Sequence, residues 1–519
     1  MISHHSFKQK IQDYFHQIAP NLDRWSGRNR YYYQDIERFH RFIIPVGSQV
    51  LQIGCGTGTL LAALQPSFGV GIDFAPAVIE IARQKYSPRL HFVCLDAEVL
   101  TPGLLFSELD KTCDRGLESA VNNHYSNSDP DLIPTAQPPN QAKGGDDTSF
   151  DFIILSGVLG YLSDIQSVLT RLQPFCHPRT RIVLTFHNFL WEPLLTAAEW
   201  IGQRRPQPPQ NWLSKMDVVN LVSITGYSVI KTGARFLMPK PIPLLSGICN
   251  RYLCAITPFS HLSLTNYVIA RLVSPIPHIQ PTCSVIIPAR NEMGNIAGAL
   301  SRLPQLGRQT EVIFVEGHSR DQTWDEIQRV AQEYHGVFTV KALQQNGKGK
   351  GDAVRMGFAA ATGDVLMILD ADLTVRPEDL SLFMEVISRG TGEFINGTRL
   401  VYPCSGEAMP WVNALANKFF SLVFSFLLDQ PIKDTLCGTK VLWRRDYLRI
   451  ADGRYYFGDF DPFGDFDLLF GAAKLNLHIV DVPVRYQPRF YGSSNINHVR
   501  EGLQLLRMCL YASQKIKFW

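Results

Sequence analysis

Short apolar runs alternate with helix-period segments along most of the chain, and the runs are continuous rather than alternating. Continuous runs suit strands buried on both faces, as in a parallel sheet covered by helices. In the first half they fall at residues 69–72, 91–95, 150–156 and 181–186, after a shorter run that opens 49–64. In the second half they fall at 283–287, 311–315, 338–342, 365–369 and 393–398. The expected fold class is therefore α/β. The rhythm restarts after the proline-rich stretch 274–281 (SPIPHIQP), which reads as a linker between domains at 1–273 and 282–519.

Several segments depart from this rhythm. Residues 101–149 are rich in Asn, Asp, Pro, Gly and Ser and read as a flexible insertion between the third and fourth strands. Residues 1–45, aromatic and of mixed charge, read as leading helices able to cover a ligand. Residues 189–202 suit either a lid over an acceptor or a core-packing helix. Residues 411–428 form a long apolar helix with a polar stripe at Asn413, Asn417, Ser421 and Ser425. Such a stripe suits a groove wall or a membrane interface, and a core helix is the alternative. No apolar run reaches the roughly 20 residues that a membrane-spanning helix needs.

Composition narrows the partners. At 519 residues, 45% hydrophobic and 19% charged, the chain is ordinary globular protein, and a net charge of +3 gives no case for nucleic acid. Ten cysteines without a CxxC pair, and no apolar leader in residues 1–10, point to a reducing, cytoplasmic setting.

The first candidate chemistry is QVLQIGCGTGTLLAAL at 49–64, a strand entering a loop with Gly54, Gly56 and Gly58 and then a helix. Alternate glycines let backbone amides approach a ligand closely. Asp73 ends the next strand about twenty residues on, where a carboxylate can take both ribose hydroxyls. These features, with Asp96-Ala97-Glu98 after the third strand, resemble the class I S-adenosylmethionine-dependent methyltransferases. The resemblance implies a Rossmann-like sheet closed by antiparallel strands at 227–236 and 264–272. It places Asp96 or Ala97 near adenine, with Ser156 and Gly157 beneath the methionine part. His187, just past the fifth strand, is a candidate base, with a structural role as the alternative.

The second is GDVLMILDADLT at 363–374, in which a buried strand releases Asp370 and Asp372. Paired carboxylates there need a cation, and Mg²⁺ or Mn²⁺ completes its shell with phosphate oxygens and water. With PARNE at 288–292 and VEGHSRDQT at 315–323, this pattern resembles family 2 glycosyltransferases of the GT-A fold, in particular dolichyl- or polyprenyl-phosphate sugar transferases. The resemblance implies that Pro288, Arg290 and Glu292 border the nucleoside of a nucleotide-sugar, with Glu316 on base or ribose. It also implies a diphosphate-bound metal on Asp370 and Asp372, and Asp465 aligning or deprotonating the acceptor. Lys440, Arg444, Arg485 and Arg489 are candidate cations for an anionic acceptor.

The expectation is a bifunctional enzyme: inverting, metal-dependent sugar transfer to an acceptor such as polyprenyl phosphate, with methylation of an unassigned acceptor. The alternative is a hydroxyl-acceptor glycosyltransferase whose first half only binds S-adenosylmethionine or docks a partner. Reversible, peripheral attachment to the cytoplasmic membrane face follows from a single amphipathic helix.

Overall fold

β1 (Gln49–Ile53) is buried at every position but its first, because it lies between β2 (Phe68–Asp73) and β4 (Phe150–Ser156). β3 (His91–Cys94) flanks β2 and β5 (Cys176–His187) flanks β4, all parallel. β7 (Thr265–Leu272) then pairs antiparallel with β5, and β6 (Tyr227–Arg235) antiparallel with β7, giving the order β3-β2-β1-β4-β5-β7-β6. The computed structural model describes residues 4–111, 149–273, 280–402, 411–456, 464, 466–489, 491 and 498–518. They form two compact units, Met1–Val273 and Ser274–Trp519.

The second unit has a comparable sheet. β8 (Cys283–Ala289), β9 (Thr310–Glu316), β10 (Thr339–Gln344) and β11 (Val365–Ile368) are parallel in the order β10-β9-β8-β11. β13 (Lys440–Trp443) runs antiparallel to both β11 and β12 (Phe394–Thr398), and β14 (Ile479–Pro483) continues parallel to β12. Both faces of this sheet are apolar, so two separate clusters of buried side chains cover it.

The structure decides two of the sequence expectations. Residues 102–111 are helical and bury Leu105 and Leu109 in the core of the first unit, so the insertion begins as packed structure. Its remainder, at 112–148, lies outside the described residues, as does 274–279 of the linker. The second concerns the helix Trp411–Leu428, where Asn417, Ser421 and Ser425 of the polar stripe face inward, in keeping with the core-helix alternative. Asn417 donates to Asp434 Oδ1 at 2.8 Å, and Ser421 and Ser425 donate to the Ile432 carbonyl at 2.5 and 3.1 Å. Leu415, Phe419, Leu422 and Phe426 face outward instead. The stripe satisfies backbone and a buried carboxylate that the core could not leave unpaired. Among the described residues, no helix is long and apolar enough to cross a membrane.

Asp434 is fully buried and accepts from Arg399 Nε and Nη2 at 2.7 and 2.9 Å. Burial opposes its ionisation, yet Arg399, Asn417 and the Arg399 amide hold the carboxyl down at about 2. Replacing one partner strands the other's charge. Asp434→Ala is therefore expected to destabilise the second unit by about 3–5 kcal/mol, read by denaturant unfolding.

Candidate functional site

Because β1 to β5 are parallel, their carboxyl ends share one edge, and the first set of candidates gathers there. Gly54, Gly56 and Gly58 all have positive φ (+67°, +54° and +78°), which glycine adopts without strain. A Cβ at Gly54 would meet Val158 at 2.7 Å, and one at Gly58 would meet Phe92 at 2.6 Å. At Gly56 the space is open. Asp73 accepts from the amides of Gly56 and Ala75, both at 3.1 Å, so it braces the loop it faces. Burial raises its pKa, partly offset by those amides.

Asp96 caps the short turn Ala97–Val99 and, with Glu98, holds Lys8 of the first helix at 2.5 Å. Burial alone would lower the Lys8 ammonium's pKa; the bonds to the two carboxylates raise it. Ala97 is buried, and the Ser156 hydroxyl accepts from Thr185 at 2.9 Å. Gly157 (φ +68°) follows with open space beyond its α-carbon. It shares a pocket with His187, Asn211, Trp212 and Leu213. His187 Nε2 lies 3.2 Å from the Tyr32 hydroxyl, a partner that nothing in the sequence pattern singles out. Burial, with Arg204 adding repulsion, holds the imidazole down at about 3. A neutral ring that resists protonation orients a neighbour better than it serves as a base.

In the second unit β8, β9 and β11 release Arg290, Glu316 and Asp370 at one edge. The antiparallel β13 begins at that edge, while β12 and β14 end there, bringing in Gly438, Arg399 and the segment 484–489. Asp370 is bound by Lys350 at 2.7 Å. Burial works against its ionisation, but Lys350, with Lys440 and Arg399 behind, holds the carboxyl below its usual range. Asp372 accepts from Thr374 Oγ1 at 2.8 Å and from Arg489 at 2.6 Å. Arg489 also reaches Glu292 at 3.5 Å.

The loops around this edge brace one another. Glu316 is buried and accepts from the Ser319 amide at 2.5 Å. Asn291 (φ +57°) accepts from the Arg320 amide at 2.8 Å, and His318 bonds the Gly347 carbonyl at 2.9 Å. Pro288 sits on β8, with Arg290 exposed beyond it.

Two assignments change. Lys440 is fully buried and donates to the Cys437 carbonyl, so it is an internal counter-charge near Asp370 rather than an acceptor cation. Arg489 is engaged with the two carboxylates, whereas Arg485 is exposed beside the Tyr402 ring. Asp467 is buried against Arg454 at 3.1 Å, and Asp465 lies outside the described residues. Lys350 and Gly438 join the site without having stood out in the sequence. A Cβ at Gly438 would stand 2.1 Å from Asp370 Oδ2 and 2.3 Å from Lys350 Nζ. The glycines flanking Lys350 at a helix start were the available signal.

Among the described residues no cluster of three metal-ligating side chains exists. Asp370 and Asp372 alone fit a hard cation that takes one or two carboxylates and completes its shell with phosphate and water. Their present cation partners show that this edge gathers charges of both signs.

Glu292 provides a pH readout. Burial raises its carboxyl to about 7, with the Asn295 bond opposing and the Asp372 charge reinforcing. A raised carboxyl stabilises the fold while protonated in it. That contribution is full below its ordinary 4.5 and is lost as pH rises through about 7. Glu292→Gln is expected to remove this slope, measured by unfolding of wild type and variant across that window.

Comparison with known proteins agrees with both halves. Residues 24–232 match the family model described as methyltransferase domain, and residues 284–449 match the model described as glycosyl transferase family 2. Dolichol-phosphate mannosyltransferase of Pyrococcus furiosus is 34% identical over 160 residues, covering 30% of this chain and 44% of that protein. The hexosyltransferase Agl6 of low-salt glycan biosynthesis in Haloferax volcanii is 25% identical over 244 residues, covering 46% and 55%. The chain thus spans about half the length of these relatives. Among solved structures, an S-adenosylmethionine-dependent methyltransferase from Thermotoga maritima covers 50% of this chain and 99% of its own at 12% identity and TM-score 0.33. Glucosyl-3-phosphoglycerate synthase from Mycobacterium tuberculosis covers 46% and 80% at 17% identity and TM-score 0.33. On the two family models, the chain joins a methyltransferase domain to a family 2 glycosyltransferase domain.

Proposed function

We propose that the second unit transfers a sugar, with inversion, from a nucleotide-sugar to a lipid phosphate, and that the first unit methylates an acceptor from S-adenosylmethionine. The observation that carries the first part is the pair Asp370 and Asp372 at the exit of β11, set among Lys350, Lys440, Arg399 and Arg489. Held by the two aspartates, Mg²⁺ or Mn²⁺ would act as a Lewis acid on the leaving diphosphate. Lys350 keeps Asp370 ionised, and Arg489 is close enough to Asp372 to exchange that partner for a phosphate oxygen.

Pro288, Arg290, Glu292 and Glu316 form the nucleoside side in this reading. Asp465 aligns the acceptor, which as a phosphate is already anionic and needs positioning more than deprotonation. Arg485, exposed at the same edge, supplies a cation toward it. The Pyrococcus relative, named for a dolichol-phosphate acceptor, supports a lipid phosphate. Peripheral membrane contact draws support from the outward residues Leu415, Phe419 and Leu422, beside Leu503, Leu506 and Leu510 of the adjoining helix His498–Ala512.

In the first unit, the amides of the Gly54–Gly58 loop and the Asp73 carboxylate are the proposed cofactor contacts, with Asp96, Ala97 and Ser156 along the same edge. The cofactor's sulfonium supplies the activated methyl group, so the protein's task is alignment and exclusion of water.

Two measurements test these halves separately. Asp372→Ala is expected to lower release of nucleoside diphosphate from a nucleotide-sugar with Mg²⁺ or Mn²⁺ by at least about a hundredfold, as excess chelator does to the wild type. Undiminished turnover in either case refutes the assignment. Asp73→Ala is expected to weaken S-adenosylmethionine binding by about 1.5–3 kcal/mol in calorimetric titration, while the second unit's turnover is unchanged.

A further inference from the structure

In the first unit, β6 and β7 are hairpin neighbours, yet the connection between them runs through residues 236–264. Hairpin connections are commonly only about 2–5 residues. This one contains the helix Leu245–Arg251 and two short turns, Leu253–Ala255 and Phe259–Leu262. Its surface is unusually apolar. Leu244 is 87% exposed at a φ of +63°, a conformation leucine rarely adopts, and Leu245, Ile248, Phe259 and Leu262 are exposed beside it.

A second segment adjoins the first. Trp191 donates its indole N–H to the Leu262 carbonyl at 2.8 Å, and Asn188 donates to the carbonyls of His261 and Ser263 at 2.7 and 3.1 Å. The helix Glu192–Trp200 follows and leaves Leu194, Trp200 and Ile201 exposed, Trp200 at 85%. Apolar side chains scattered singly need no explanation, but clusters on adjoining segments do.

Charge is distributed to match. Residues 236–264 contain no aspartate or glutamate and carry Lys240 and Arg251. The adjoining helix Glu192–Trp200 carries Glu192 and Glu199, and Glu199 pairs with Arg204 at 2.6 Å, so the bias lies in the connection itself. The apolar side chains of the connection, with two cations and no carboxylate among them, suit an anionic bilayer surface.

This surface adjoins the candidate methyl site. Phe236, first residue of the connection, packs on Tyr31 and Tyr32 with ring centroids 5.2 and 5.4 Å apart. Tyr32 bonds His187, which shares the pocket with Gly157, and Asn188 is the next residue along.

We infer that the first unit seats this surface on an anionic bilayer, and that its methyl acceptor is the polar end of a membrane-embedded amphiphile. The inference rests on the methyltransferase reading. In the transfer, a lone pair on the acceptor's heteroatom forms a bond to the methyl carbon. The methyl–sulfur bond breaks with its electron pair staying on sulfur, and the acceptor's proton leaves to water.

The test is flotation of the full chain with vesicles of phosphatidylcholine and phosphatidylglycerol, alongside S-adenosylmethionine titration. Leu244→Ser, Leu245→Ser and Ile248→Ser combined are expected to reduce vesicle partitioning by roughly tenfold or more, in line with three lost aliphatic insertions. Lys240→Glu with Arg251→Glu is expected to abolish the preference for phosphatidylglycerol. Cofactor affinity is expected to stay unchanged in both variants. Wild-type partitioning in the triple variant, with loss only when Leu415 and Leu422 of the second unit are replaced by Ser, overturns the inference. So does a wild-type dimer without vesicles that the triple substitution dissolves, since the surface would then belong to a second copy. Vesicle binding by a wild-type chain that does not bind S-adenosylmethionine would instead refute the methyltransferase reading, and with it the acceptor class.

Discussion

Carboxylates released by a buried strand must be neutralised, and much of the second unit is arranged to do so. Asp370 draws Lys350 from a helix start, with Lys440 behind it on β13 and Arg399 beyond the end of β12. Arg399 is in turn fixed by Asp434, and Asp434 by Asn417 of the helix Trp411–Leu428. Asp372 draws Arg489 from beyond β14. Each cation comes from a different element, so the field at the two carboxylates depends on the whole set of strands keeping its register. A site assembled this way is pre-organised by topology rather than by loop rigidity.

The first unit solves a different problem with different means. Its candidate site is mostly backbone: left-handed glycines, the amides they present and one half-buried carboxylate beneath them. Side chains enter from outside the sheet, through Lys8 on Asp96 and Tyr32 on His187. That division follows from the ligand chemistry proposed for each unit. A diphosphate with a divalent ion demands charge, whereas a cofactor that carries its own activation demands fit.

The strand runs were legible because strands buried on both faces must be continuously apolar, and the residues just past them mark the shared edge without further information. Gly54, Asp73, Asp370 and Asp372 could be found that way. What resisted reading was direction. Lys440 sits in a segment that reads as acceptor-side, but β13 is antiparallel to its neighbours, which turns the lysine beneath Asp370. The stripe on Trp411–Leu428 has the spacing of a surface face. Only the tertiary position of Ile432 and Asp434 reveals that it is turned inward. Residues 102–111 carry helix-compatible apolar spacing that the polar composition of the longer insertion concealed. Periodicity reports which residues share a face, and not what that face meets.

Gly438 carries a consequence for reading other chains. With Asp370 Oδ2 and Lys350 Nζ crowding the place where a β-carbon would stand, any other amino acid there forces one of the two to move. Both are side-chain ends and the lysine is flexible, so a β-carbon is admitted once the ammonium swings away from its present seat on the aspartate. A homologue bearing alanine or serine there, in an otherwise matching chain, announces a rearranged counter-charge through its sequence alone. The residue with no side chain thus serves as the diagnostic letter for the charged ones around it.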